Sequence, residues 1–401
     1  MLRRAAATAL VCCLCLALTG CWSRRELNEL AITVGLGIDK TGDLYTVSAQ
    51  VVDPAQVTMR ASGGGMRVPV TVYRETSTSI LEALRKMTTV APRRIYLSHL
   101  RMVIIGEELA KSGISEALDF LSRGHETRTD FFIAIAKEAS ALDILTVLTP
   151  LEKIPANNLF SSLETSAKFW APTHGIFLDD LMNQLAGEGR SPAVTGIELT
   201  GRLDKGQFVS NVERVLPETE LRYTGLAAFK KDKLIGWLTE EESKGFNYIQ
   251  GNVKESAGHL SCPNGGRLIT DVIRSKTKLK GVLTDEGMPA IDISLQLEGD
   301  IAEVACDIDL QKPEAIAKAN EQIDRNIERI INKTITKAQK GFKTDFIGFG
   351  DTFRKSYPKQ WEEWSKNWDE LFLDLPVTVH ADYKIRRIGT ITNSLTKEVK
   401  E

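Results

Sequence analysis

The sequence predicts a multi-domain protein of mixed α+β and α/β class. Three observations predict it. Short β-rich and helical runs alternate between residues 31 and 186. From about residue 195 the texture changes to paired β runs with turn residues between them. A single long amphipathic pattern then runs from Pro313 to Lys340. The chain has 401 residues, enough for two or three domains at ~100–200 residues each. Hydrophobic residues make up 42% and charged residues 26%, an ordinary globular balance rather than that of a disordered chain. The net charge is −2 with no basic stripe, which argues against a nucleic-acid-binding protein.

Residues 31–52 hold two β-rich runs around Lys40-Thr41-Gly42-Asp43, a hairpin signal. Residues 53–70 include Ser62-Gly63-Gly64-Gly65 and read as a loop tip rather than an anion cradle. Residues 70–75 read as a strand. Ser77 is the expected N-cap of a helix over 78–89, with Ile80, Leu81, Leu84 and Met87 on one face. The alternation continues as strand 101–105, helix 115–123, strand 130–137 and helix 140–148. Helices at 157–170 and 178–186 precede a break at 187–192.

In the C-terminal half, runs at 221–229 and 234–239 flank Lys230-Lys231-Asp232-Lys233, a second hairpin. A helix is expected over 240–249, then strands at 269–283 and 290–299 around a 284–287 turn. Pro313 opens the long helix, with Ile316, Ile323, Ile327, Ile330, Ile331 and Ile335 at near-helical spacing. A helix over 357–373 and a strand over 377–391 end the pattern. The expected organisation is a leader at 1–20, an α/β region at 21–195 with room for two subdomains, and an antiparallel-sheet plus long-helix domain at 196–401.

The first residues carry the sharpest signal. Arg3 and Arg4 precede an uninterrupted small and apolar run at 5–18. The run is too short to cross a bilayer core of ~30 Å comfortably, and it fits a secretory signal peptide. Leu18-Thr19-Gly20-Cys21 resembles the bacterial lipobox, in which the cysteine takes a diacylglyceryl group and starts the mature chain. Two acyl chains anchor stably where one binds marginally. Trp22 suits a membrane interface, and Arg24 and Arg25 can meet anionic headgroups; an ordinary solvated tether is the plain alternative. Of six cysteines, Cys12, Cys13 and Cys15 fall in the leader. Cys262 and Cys306 remain, and a disulfide and two free thiols are both open.

A search for catalytic chemistry is empty. His99, His125, His174, His259 and His380 are isolated from one another, with no zinc-helix spacing. Walker and nucleophile-elbow sequences are absent. Gly35-Leu36-Gly37 lacks the third glycine of a dinucleotide fingerprint. Asp307-Ile308-Asp309 lacks the EF-hand glycine, and Asp179-Asp180 suit a helix start. The expected catalytic, cofactor and metal residues are therefore none. Trp361, Trp364 and Trp368, half the chain's six tryptophans, lie on one helical stripe. A core stripe against the sheet is the favoured reading, and an exposed partner-binding stripe is the other.

The chain resembles the Ger(x)C family of spore germination lipoproteins, the C subunits of GerA-type germinant receptors. The resemblance is carried by Cys21-Trp22-Ser23-Arg24-Arg25-Glu26-Leu27-Asn28-Glu29-Leu30-Ala31 and Gly35-Leu36-Gly37-Ile38-Asp39. Further along it is carried by residues 225–229, Gly236-Trp237-Leu238, residues 241–245, Asp345-Phe346-Ile347-Gly348-Phe349-Gly350 and the three tryptophans. Ser23 stands where the family pattern usually has Asp, a departure that leaves the lipid site untouched. The resemblance implies three α/β-type domains and a non-enzymatic subunit on the outer face of the inner spore membrane. It implies an integral-membrane A subunit and a transporter-like B subunit as partners. Such receptors respond to small nutrients, whose site is generally placed on the B subunit. Only Cys21 is transferred, as the lipidation site. Two other classes are weighed against this one. An extracytoplasmic solute-binding lipoprotein would show two doubly wound lobes, and an anchored cell-wall hydrolase would need a catalytic constellation.

Overall fold

The computed structural model describes residues 1, 3–6, 8, 26–58, 68–262, 265–306 and 308–389. Residues 9–25, on which most of the expected leader and Cys21, Trp22, Arg24 and Arg25 fall, the expected loop tip at 62–65 and Asp307 lie outside the described residues.

The first sheet has nine strands: β1 (Leu30–Thr41), β2 (Leu44–Val52), β3 (Val70–Ser77), β4 (Arg94–Tyr96), β5 (Met102–Ile105), β6 (Phe132–Ala136), β7 (Ala193–Gly201), β8 (Thr219–Lys230) and β9 (Lys233–Trp237). Their order is β3-β2-β1-β5-β6-β7-β8-β9, with β4 beside β1. The middle of the sheet, β1-β5-β6-β7, is parallel. Every residue of β5 and β6 is buried, as parallel strands covered on both faces require. Gly42, at φ +58°, makes the expected β1–β2 turn.

A short helix, α1 (Pro54–Thr58), links β2 and β3, and the helices that cover this sheet are α2 (Ile80–Lys86), α3 (Glu107–Ser112), α4 (Ser115–Arg123), α5 (Ala141–Thr146), α6 (Pro155–Phe169) and α7 (Leu178–Ala186). Leu84, Leu109, Leu118 and Leu181 bring α2, α3, α4 and α7 into one core, while Leu145 and Leu159 bring α5 and α6 into another. The N-cap of α2 is Ser79, whose side chain accepts Glu82 N–H, and not Ser77. Ser77 ends β3 and donates to the Glu82 carboxylate at 2.5 Å instead. Asp179 and Asp180 occupy the first turn of α7, as expected of acidic residues at a helix start.

The second sheet is β10 (Ser256–Ser261), β11 (Arg267–Leu283), β12 (Pro289–Ala305) and β13 (Val377–Arg387), in that order. It is covered by α8 (Glu240–Gln250), α9 (Pro313–Thr336), α10 (Phe349–Ser356), α11 (Pro358–Trp364) and α12 (Trp368–Leu373). Ile323, Ile327, Ile331 and Ile335 of α9 are buried on one stripe. Thr239 and Glu242 form a capping box that starts α8. Cys262 and Cys306 are joined in a disulfide, so the strand ends behind β10 and β12 are tied.

Four expectations are corrected. β7 spans residue 195, and the β8–β9 hairpin completes the first sheet rather than opening the second. β13 pairs with β12 in parallel, because the chain returns to it through the α9–α12 crossover. The 313–340 helix turns π-helical at Lys337–Phe342. The 357–373 helix is two short helices with a 3₁₀ turn at Ser365–Asn367 between them.

Candidate functional site

The motif residues fall at joints between elements. Gly35 and Gly37 on β1 leave room for α5: a Cβ on Gly35 would lie 2.9 Å from Leu145, and one on Gly37 3.1 Å from the Ala141 Cβ. Asp39 then caps α5, accepting the Ala141 and Leu142 N–H groups at 2.8 and 3.2 Å. Its burial raises its pKa against those two hydrogen bonds. Gly245 does the same between α8 and α9, where a Cβ would lie 2.7 Å from the Ile330 carbonyl oxygen. Beside it, Thr334 donates to the Glu242 carbonyl at 2.7 Å. Glu241 receives Arg329 at 2.6 Å and also Lys333 across the same joint.

The joint with the most polar detail surrounds Asp345. Its carboxylate is buried and accepts the backbone N–H groups of Gly348, Phe349 and Gly350 at 2.7, 3.1 and 2.9 Å. A fourth bond comes from the Trp368 indole at 3.1 Å. Gly348 sits at φ +90°, which turns the chain so that three successive N–H groups face one carboxylate. Burial pushes the Asp345 pKa up to about 6, with the four donors working in the opposite direction.

The 187–192 break from the first sheet seals this joint. Ser191 N–H donates to the Asp345 carbonyl at 2.8 Å. Gln250 donates to the Ile347 carbonyl at 2.7 Å and accepts Arg190 at 3.2 Å. A Cβ on Gly350 would lie 2.5 Å from the Gly189 carbonyl oxygen, so two glycine backbones touch here. Burial lowers the Arg190 pKa, and Asp351, Asp345 and Asp180 oppose the change. A cleft of 860 Å³ opens on this seam, lined by Arg190, Ser191, Lys231, Asp232, Trp368 and Asp369 among others. Lys230 and Asp369 pair across it at 3.3 Å.

Trp361 and Trp368 are buried, 5.1 Å apart and edge to face. Trp364 is partly buried, with its ring edge-on to Phe353 at 5.5 Å. The stripe is therefore core.

His174 is desolvated to a pKa of about 4 and packs on Phe246 at 5.7 Å, while the exposed His380 lies 3.9 Å from Glu328. Among the described residues, no group of His, Cys, Asp or Glu is arranged to hold a metal ion, and no helix is long and apolar enough to cross a membrane. The three-N–H cradle of Asp345 was beyond sequence reasoning, because its donors are backbone. Glycines at 348 and 350, three and five residues after an aspartate, are the signal that could have found it.

Comparison with known proteins decides the family. The spore germination protein N-terminal domain family matches residues 23–199, and the "Spore germination B3/ GerAC like, C-terminal" family matches residues 224–389. Spore germination protein KC of Bacillus subtilis is 32% identical over the whole of both chains. The chain belongs to the Ger(x)C family of spore germination proteins. Spore germination protein B3 of the same organism is 25% identical over 94% of this chain and 96% of its own. The fold of this Ger(x)C chain matches the crystal structure of the GerBC protein with a TM-score of 0.54, covering 88% of this chain and 97% of that one at 20% identity.

Proposed function

We propose that this chain is a lipid-anchored, non-enzymatic subunit of a spore nutrient-germinant receptor, held on the outer face of the inner spore membrane through Cys21. Its partners are integral-membrane A and B receptor subunits, and its work is protein–protein contact. The full-length similarity to spore germination protein KC carries the reading. Leu18-Thr19-Gly20-Cys21 supports the anchor. The motif residues support a structural role, since at 35–39, 245 and 345–350 they join elements rather than gather reactive groups. A solute-binding lipoprotein fits less well, because the second sheet is four-stranded and not a doubly wound lobe.

The test is purification of the intact protein from spore membranes, with mass spectrometry of its N-terminus and of its co-purifying proteins. A diacylated Cys21 with A- and B-type membrane subunits is expected. A chain that is membrane-bound after Cys21→Ala without its partners would end the anchor reading. A chain carrying transporter components would replace the receptor reading with solute capture.

A further inference from the structure

Strand β11 runs well past its neighbour on one side. β10 pairs with residues 267–272 of it and stops there. Among the described residues, the backbone of 273–283 bonds to β12 alone. One edge of this stretch is therefore open, and every second residue turns its N–H and C=O groups to solvent. The opposite edge of the same sheet is closed, because side chains of α9 accept the β13 N–H groups. The inner face of the open stretch is packed. Thr277 donates to the Tyr248 carbonyl at 2.6 Å, and a Cβ on Gly281 would lie 2.9 Å from the Phe353 ring.

The outer face carries a row of lysines. Lys276, Lys278 and Lys280 are exposed and point the same way, ~6.6 Å apart. Opposite them on β12 stand Gln296, Ser294 and Asp292. Among the described residues, none of the three lysines has an ion pair, and Asp292 is not within ion-pair distance of Lys280. Arg274, at the head of the row, is already held by Glu298 at 3.9 Å. Beyond Lys280 the sign reverses, with exposed Asp285 and Glu286 in the turn. Like charges along one face repel, so the row calls for negative charge from outside the chain. It also keeps a second copy away, since in-register pairing of two such edges sets lysine against lysine.

We infer that the 273–283 edge takes up an extended acidic segment of a partner protein as a further strand of the sheet. The segment's backbone continues the ladder, and carboxylates at every second position meet Lys276, Lys278 and Lys280. Asp285 and Glu286 fix the register, because a carboxylate displaced toward the turn is repelled. A phospholipid surface could use the lysines but has no N–H and C=O groups to offer the edge in register, so the open ladder selects a strand. This docking needs β11 and not the anchor, so its failure leaves the receptor reading standing.

The test uses the full-length chain and a synthetic peptide that alternates Glu with Val. On binding, amide hydrogen exchange within 273–283 is expected to slow about tenfold or more, while β13 exchanges as before. The same peptide N-methylated on alternate amides, in either phase, checks the ladder. At least one phase is expected to lose binding; if both bind as tightly as the parent, the contact is charge alone and the strand inference is overturned. Lys276→Glu, Lys278→Glu and Lys280→Glu together are expected to weaken the Glu peptide about tenfold or more and to admit a Lys–Val peptide in its place. The melting temperature is expected to hold, because all three side chains are exposed. A triple variant that binds the Glu peptide as tightly as the parent chain overturns the role of the row. Protection of 273–283 by phosphatidylglycerol vesicles and not by the peptide assigns the face to lipid and overturns the inference, as does protection by neither.

Discussion

The Asp324 carboxylate on α9 accepts the backbone N–H of Tyr383 on β13 at 2.7 Å. Glu328 does the same for Ala381 at 3.0 Å, and Asn320 for Ile385 at 3.2 Å. The pairing works because two periods coincide. Four residues of helix rise ~6 Å, and two residues of strand rise ~6.6 Å. A helix laid antiparallel to the strand can thus offer one acceptor to every second N–H of the open edge. Asp324→Ala should cost about 1–3 kcal/mol, the penalty of one unpaired N–H group, read from chemical denaturation. Replacing Asn320, Asp324 and Glu328 together by Ala should expose the edge and produce concentration-dependent self-association in sedimentation.

Asp324 and Asp345 share a pH signature. Both are pushed up to about 6, chiefly by burial. A carboxyl whose folded pKa exceeds its unfolded value favours the fold when protonated. Its contribution is fully present below the ordinary carboxylate value and is lost as the pH rises through 6. Asp324 should therefore raise the melting temperature as the pH falls from 7 to 5, whereas at Asp345 the four donors that hold the carboxylate work against protonation. Asp324→Asn keeps the acceptor for Tyr383 and removes the titration, so its profile should be flatter over that window.

Asp345 itself should tolerate no amide. Each of its oxygens receives two donors, so Asp345→Asn places an NH₂ group against two N–H groups whichever way it is turned. A loss of about 2 kcal/mol or more in denaturation is expected. Trp368→Phe should cost less, since it removes one of the four bonds and keeps most of the ring.

The sequence carried some of this and hid the rest, for physical reasons. Apolar spacing alone placed the helix at 115–123, and the 178–186 helix was equally plain, because each buries a single stripe. The direction of β13 was hidden, because a strand's side-chain alternation is the same whichever way its neighbour runs. The 357–373 stretch read as one helix because Trp361 and Trp368 do face one core; the 3₁₀ turn between them changes the backbone without changing that face. At the Asp345 joint, only Gly348 and Gly350 stood in the sequence for a cradle made of backbone.

The Cys262–Cys306 disulfide spans a sequence separation of 44. Closing a loop of that length restricts the unfolded chain by about 4 kcal/mol at most, with 2–4 kcal/mol typical. Paired Cys262→Ser and Cys306→Ser substitutions, or a reductant, should lower the melting temperature by a matching amount.

Gly350→Ala should loosen the seam between the two sheets. Its Cβ would press on the Gly189 carbonyl oxygen at 2.5 Å, and both partners are backbone. Overpacking of this kind costs about 1–3 kcal/mol. Limited proteolysis within 187–192 should quicken before global unfolding does.

The parallel β12–β13 pair has a genetic consequence. The strand that completes the second sheet comes after all the helices that cover it, so a premature stop after Pro376 removes a structural element of that sheet. It strips β12 of its neighbour and leaves Asn320, Asp324 and Glu328 without the groups they cap. Nonsense alleles between Pro376 and the end of β13 should therefore behave as nulls.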